Sequence, residues 1–215
     1  MKKASDFFSP EQQAQIVAAV TAAETTTRCE IVPMVVSSSD DYPQVDLLAG
    51  GGLALIVTLA TDYLLGIHST WLILLLLVIS TLILSQIVRR LPWLKRKLIH
   101  PRELDATVHN KALTSFMSEG LHQTPENTGV LILISLFEHR VEIVADSGIG
   151  DKIAPATWKE LVDSLTKGIK QGQAGETLCR VIAETATILA EHFPPETNDT
   201  NHLPNLILNE REQNN

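Results

Sequence analysis

Residues 47–65 read LLAGGGLALIVTLATDYLL, and residues 71–88 read WLILLLLVISTLILSQIV without a single charge. A bilayer core about 30 Å thick takes roughly 20 apolar residues per helix. Two such stretches, joined by Gly66-Ile67-His68-Ser69-Thr70, predict a transmembrane hairpin. Before it, the apolar positions follow the shorter periods of a soluble fold. Ser9-Pro10-Glu11-Gln12 reads as a helix start: Ser9 caps, Pro10 suits the first helical position, and Gln12 completes a capping box. Ile16, Val17 and Val20 then form one apolar stripe. Residues 28–36 (RCEIVPMVV) read as a strand, and Pro33 inside it predicts an edge position or a bulge.

After the hairpin, residues 103–121 place Leu104, Val108, Ala112, Phe116 and Met117 on one helical face. Residues 129–136 (GVLILISL) are too short to span a membrane and too continuously apolar for a half-exposed strand. They predict a central strand covered on both faces. Glu138-His139-Arg140 turns the chain, and residues 141–145 (VEIVA) return as a hairpin partner. A glycine-containing turn at 146–151 leads to a helix from Pro155, where Trp158, Leu161, Val162, Leu165 and Ile169 recur at helical spacing. A last helix covers 175–192, with Leu178, Val181, Ile182 and Leu189 inward, and Pro194-Pro195 stops it. The order implies an α/β fold, a small sheet covered by helices and interrupted by a two-helix transmembrane hairpin. The expected organisation is a first domain part at 1–44, the hairpin at 45–90, a second part at 91–195 and a mobile tail at 196–215. Within that polar tail, Leu203 and Leu206-Ile207-Leu208 are the residues able to dock.

Length and charge narrow the class. Of 215 residues, those outside the hairpin suffice for one soluble domain and not for two. A net charge of −8 excludes a nucleic-acid binder by composition. The cations are unevenly placed: Arg89, Arg90, Lys95, Arg96, Lys97 and Arg102 follow the second span, while the hairpin loop has no Lys or Arg. By the positive-inside rule both termini are expected in the cytoplasm, with the loop outside an inner (plasma) membrane. The cluster sets that topology and is also able to grip anionic lipid headgroups. Tyr63, Trp71 and Trp93 fall near the expected interfaces. Residues 1–10 lack the apolar region of a signal peptide, and Cys29 and Cys179 form no C-x-x-C, so buried free thiols in a reducing compartment are expected.

An ordered set of short stretches resembles the TPM domain, also called a phosphatase-like domain. It comprises Cys29-Glu30-Ile31-Val32 after an amphipathic helix, Thr128 to Ile134 (TGVLILI), Arg140-Val141-Glu142-Ile143, and Asp146-Ser147-Gly148-Ile149. The hairpin after the first strand, Ser39-Asp40-Asp41-Tyr42-Pro43 and His192-Phe193-Pro194-Pro195 are similar to a bacterial membrane branch of that family. The resemblance implies a TPM-like sandwich outside the hairpin and tail. It also carries two properties of some members: binding of a divalent ion, and weak acid phosphatase activity in some plant proteins. Where the family has D-N-G, this chain has Asn127-Thr128-Gly129, so the acidic side chain is lost.

Asn127, Asp146 and Asp151 flank the two later strands at what reads as one sheet edge. Oxygen ligands from such loops suit Ca²⁺ or Mg²⁺; the alternative is that all three simply form turns and cap the following helix. Glu30 and Glu142, within strands, either face a cleft or face solvent. The histidines show no H-x-x-H or H-E-x-x-H spacing, which argues against zinc. Cys179-Arg180 is not a cysteine-phosphatase cradle, and there is no Walker loop, G-x-S-x-G or D-x-D-x-T. Asp62 near the outer end of the first span is either a functional carboxylate or one hydrated at the interface. Gly50-Gly51-Gly52 with Ala54 either permits close helix contact or weakens the helix locally. Two spans with one interfacial acid offer a transporter no midplane site unless many copies assemble. The expected function is a membrane-anchored cytoplasmic interaction or assembly module, with membrane lipid and a membrane protein as partners. The alternative is a weak metal-assisted acid phosphatase.

Overall fold

Helix α1 (Pro10–Glu24) begins where the capping signal places it. The Ser9 hydroxyl accepts from the Gln12 amide at 3.3 Å, and the Gln12 side-chain oxygen accepts from the Ser9 amide at 3.0 Å. These bonds satisfy amides that the first turn cannot pair internally. Strand β1 (Glu30–Val36) follows, then α2 (Pro43–Leu65), α3 (Thr70–Arg90) and the short α4 (Pro92–Leu98). Helix α5 (Pro101–Ser118) leads to β2 (Gly129–Ser135) and β3 (Arg140–Ala145). A single helical turn, α6 (Ser147–Gly150), precedes α7 (Pro155–Lys170) and α8 (Ala174–Ala190), and β4 (Ile207–Asn209) ends the order. The computed structural model describes residues 3–66, 69–150, 152–195 and 203–209.

The described strands form one mixed sheet in the order β3-β2-β1-β4. β2 runs parallel to β1, from Glu30 opposite Gly129 to Val36 opposite Ser135, and antiparallel to β3. Every residue of β2 is buried, and alternation sends its side chains both ways. Val130, Ile132 and Ile134 join Ile31 and Val35 against α1, α7 and α8 through residues such as Ile16, Leu165, Val181 and Leu189. Leu131 and Leu133 join Val32, Met34 and Val36 against Val108, Ala112 and Phe116 of α5. The result is the expected α/β sandwich. Each fully buried aliphatic side chain adds about 1.5–3 kcal/mol to it.

A parallel β1–β2 pair requires a long crossover, because a tight turn cannot return the chain to the same end. That crossover contains α2, α3 and α4 before α5 covers the sheet. The hairpin is therefore inserted where the fold already needs chain length. Pro33 causes no bulge, since the β1–β2 register is unbroken. It lies just before Met34, where β4 begins to pair with β1, so no described strand pairs with Pro33 on that side and a residue lacking an N–H is tolerated. In the tail expected to be mobile, Ile207 to Asn209 pair with Met34 to Val36, and Leu203 and Ile207 pack against the α5-side core.

The chain divides into two compact units: Met1–Ser39 with Asp105–Asn215, and Asp40–Leu104. The second contains two helices long and apolar enough to cross a membrane. Their contact is close: a methyl group on Gly50 would lie 2.2 Å from the Ser85 hydroxyl, while Thr58 and Ser80 hydroxyls stand 3.5 Å apart. Helix α4 lies in the same unit as these two helices. A buried ion pair joins it to them, the Lys95 ammonium lying 2.9 Å from the Asp46 carboxylate at the start of α2.

Candidate functional site

Strand directions decide which loops meet. Since β1 and β2 are parallel and β3 is antiparallel to β2, the loops before β1, before β2 and after β3 gather at one end of the sheet. That end holds Arg28, Glu126, Asn127 and Asp146. The Asp146 amide donates to Gly129 O at 2.9 Å, which fixes the end of the β2–β3 pair. Asp146 Oδ1 accepts from the Ser147 amide at 2.6 Å and the Ser147 hydroxyl at 3.1 Å. Its backbone carbonyl accepts from Ile149 N and Gly150 N, building α6. Its other carboxylate oxygen, Oδ2, is buried and has no hydrogen-bond partner among the described residues.

The loop before β2 is conformationally costly. Glu126 and Asn127 adopt φ of 64° and 55° in succession. A left-handed residue other than glycine costs about 1–2 kcal/mol, less for asparagine, whose side chain bonds locally. Two contacts hold this shape. The Glu126 carboxylate lies 2.8 Å from the Arg28 guanidinium, which also lies over the Phe193 ring at 5.8 Å. Gly148 of α6 packs directly on the loop, where an added Cβ would sit 2.3 Å from Glu126 O and 2.6 Å from Asn127 O. Lys152 completes the end, its ammonium 4.3 Å from the Phe193 ring centroid.

Asn127 and Asp146 are thus brought to the same sheet end, as the spacing of the strands implied, and Asp151 lies outside the described residues. The described part of the set offers an amide and one unpaired carboxylate oxygen, because Glu126 is engaged by Arg28. Calcium takes about six to eight oxygens and magnesium about six. The described residues therefore do not make a cation site by themselves, and no group of three His, Cys, Asp or Glu positioned for a metal occurs among them. Arg28, Lys152 and Phe193 were not visible as site residues in the sequence. Their one signal is an aromatic residue, Phe193, placed between a helix end and a polar tail.

The opposite end of the sheet carries a second polar cluster that the sequence did not reveal. Glu138 is buried at 1% exposure. Its carboxylate accepts from Ser39 N at 3.0 Å, from the Ser38 hydroxyl at 3.3 Å, and from the Ser135 hydroxyl. This ties the end of the β1 segment to the β2–β3 turn. On the α5 face, Glu142 meets His109 at 2.9 Å and Arg140 meets Asp105 at 2.5 Å, so Glu142 holds a helix against β3. Glu30, in contrast, is 8% exposed and does not face solvent. Cys29 is buried, and partial burial raises the Cys179 thiol above its ordinary pKa.

Residues 99–188 match the family model described as the TPM domain. The chain contains a TPM domain. The match takes in β2, β3 and the helices around them; β1 lies outside it but pairs along the whole of β2. The fold is similar to the NMR structure of BA42 protein from the psychrophilic bacterium Bizionia argentinensis, with a TM-score of 0.61 and 20% identity, covering 98% of this chain and 100% of that one. At that identity the likeness speaks for the fold alone. No curated protein matches the sequence.

Proposed function

We propose that the chain is a TPM domain tethered to a bacterial inner membrane by α2 and α3, with both termini cytoplasmic, acting as an interaction or assembly module. The observation that carries the tether is the exposure of the apolar helices. Leu48, Leu64, Leu65 and Trp71 are each more than two-thirds exposed, and only 17% and 11% of the two apolar windows are buried. Soluble monomers rarely expose contiguous apolar patches beyond about 300–600 Å². Lipid is the solvent that suits such a surface, and the cations after α3 orient it. The module reading is supported by the work already assigned to the loop residues: Asp146 builds α6, and Asn127 forms the turn on which Gly148 packs.

The tether is tested with reporters. A fusion after Asn215 is expected to read as cytoplasmic and one between Ile67 and His68 as periplasmic; the reverse pattern overturns the orientation. The module reading is tested by phosphate-ester hydrolysis on the full chain in mild detergent. Metal-dependent turnover that Asp146→Asn abolishes would replace it.

A second reading rests on the unpaired Asp146 Oδ2. In it, Asn127, Asp146 and Asp151 hold Ca²⁺ or Mg²⁺ and support weak acid phosphatase activity. A cation that binds only the native state raises the melting temperature with concentration. Under this reading millimolar Ca²⁺ or Mg²⁺ stabilises the chain, Asp146→Asn removes the effect, and Asn127→Asp strengthens it. No shift in any of the three proteins leaves these residues as turn formers.

A further inference from the structure

The end of the hairpin where α2 starts and α3 stops holds a set of cations with unequal partners. Lys95, buried, is paired with Asp46 at 2.9 Å, and Arg89 reaches the same carboxylate at 3.5 Å. That pair pins α4 against the hairpin in one orientation. Helical geometry then places the remaining residues of α4: Trp93, Arg96 and Lys97 lie at i, i+3 and i+4, on one side of the helix. The contact bears this out, with the Lys97 ammonium 5.7 Å from the Trp93 ring centroid. Trp93 is 61% exposed and Leu98 51%. Arg90, at the last turn of α3, and Arg102 are exposed, and neither they nor Arg96 have a carboxylate partner among the described residues. From Pro43 to Thr70, through α2 and the loop, there is no Lys or Arg.

We propose that α4 is an anionic-lipid contact, lying at the headgroup level with Arg90, Arg96, Lys97 and Arg102 on lipid phosphates and Trp93 and Leu98 in the acyl boundary. The proposal rests on the membrane reading above and deepens it by naming the lipid chemistry. Charge and the exposed tryptophan argue for this occupant together. An exposed tryptophan beside unpaired cations, directly after an apolar helix of membrane-spanning length, has the composition of an interfacial anchor. A guanidinium also matches phosphate oxygens in a two-point geometry. The Asp46–Lys95 pair acts as the positioning element, because it commits Lys95 inward, while Arg90, Lys97 and Arg102 stay exposed and Arg96 half-buried.

The test uses the full chain, purified in mild detergent and delipidated, titrated in mixed micelles with phosphatidylglycerol, phosphatidylcholine or inorganic phosphate. Thermal stability is the readout, since binding to the native state alone raises it. Phosphatidylglycerol is expected to raise the melting temperature, and the other two are not. Each juxtamembrane cation contributes roughly a fivefold change in affinity. The triple variant Arg90→Gln, Arg96→Gln, Lys97→Gln is therefore expected to move the phosphatidylglycerol midpoint up by about a hundredfold. The charge-preserving Arg90→Lys, Arg96→Lys variant should retain most of the response. An equal response to both phospholipids, reproduction of the effect by inorganic phosphate, or a parental midpoint in the triple variant overturns the proposal. Carbonate extraction of native membranes reads the tether separately. A chain that resists extraction but shows no phosphatidylglycerol preference defeats the lipid contact alone, whereas a chain released by carbonate defeats both.

Discussion

Truncating β2 on each face in turn tests whether it is covered on both sides. Ile132 and Leu133 are both 0% exposed, yet they belong to opposite cores, Ile132 facing α1, α7 and α8 and Leu133 facing α5. Ile132→Ala and Leu133→Ala each remove three carbons, worth about 0.8 kcal/mol apiece in transfer. Each also leaves a cavity that the packed layers relax around only in part. The sum is about 3 kcal/mol, within the roughly 2–5 kcal/mol seen for such truncations. For a domain of this size that corresponds to a fall in melting temperature of roughly 6–12 °C. The assay is thermal unfolding of the full chain in mild detergent, followed by tryptophan fluorescence. Replacing Trp71 and Trp93 by Phe leaves Trp158, which packs on the larger core, as the reporter. Val17→Ala, at a position 39% exposed on α1, is the control and should stay within about 0.5 kcal/mol of the parent. If either core truncation costs under about 1 kcal/mol, that face of β2 is open and the two-sided sandwich is wrong.

Three further outcomes follow from named contacts. Gly148→Ala drives a Cβ into the carbonyls of Glu126 and Asn127, and overpacking against backbone should cost about 1–3 kcal/mol; an unchanged melting temperature would mean that α6 does not rest on this loop. Lys95→Met leaves the buried Asp46 with only the longer Arg89 contact and should destabilise the hairpin unit by about 3 kcal/mol in a denaturing-detergent titration followed by circular dichroism. Adding Asp46→Leu should recover much of that loss, and failure to recover would mean the pair is not what holds α4. For Cys179, burial favours the neutral thiol and raises its pKa from the ordinary 9.0. Iodoacetamide should therefore label it more slowly than a free thiol at neutral pH. As pH climbs past the ordinary thiol range the unfolded chain ionises first, so its contribution to stability falls with pH. Labelling as fast as a free peptide thiol would contradict its burial.

Elements with a strong period or an unusual run were legible before any coordinates. The two apolar runs, the Ser9 capping box and the continuous GVLILISL stretch each carry their instruction locally, through helix length, amide satisfaction and two-sided burial. The resemblance to the TPM domain rested on such strands and is matched over residues 99–188. Pro33 was expected at an edge or a bulge, and β1 is neither an edge strand nor bulged. Its tolerance depends on where β4 begins, which is a matter of distant residues.

The composition and order of the strands settled the class of fold, because hydrophobic period is a local property of the chain. Which polar residues meet is not local, and only the tertiary structure decided it. Arg28 reaches Glu126 across the sheet end because parallel pairing aligns the loops before β1 and β2. Ser38 and Ser39 reach Glu138 because the same pairing aligns the other ends of those strands. Asp46 and Lys95, 49 residues apart, meet because α2 and α3 run antiparallel and return the chain to its starting level. Side chains such as these have ordinary surface character in the sequence. Burial and charge pairing give them their roles, and both arise only when remote segments share one small volume.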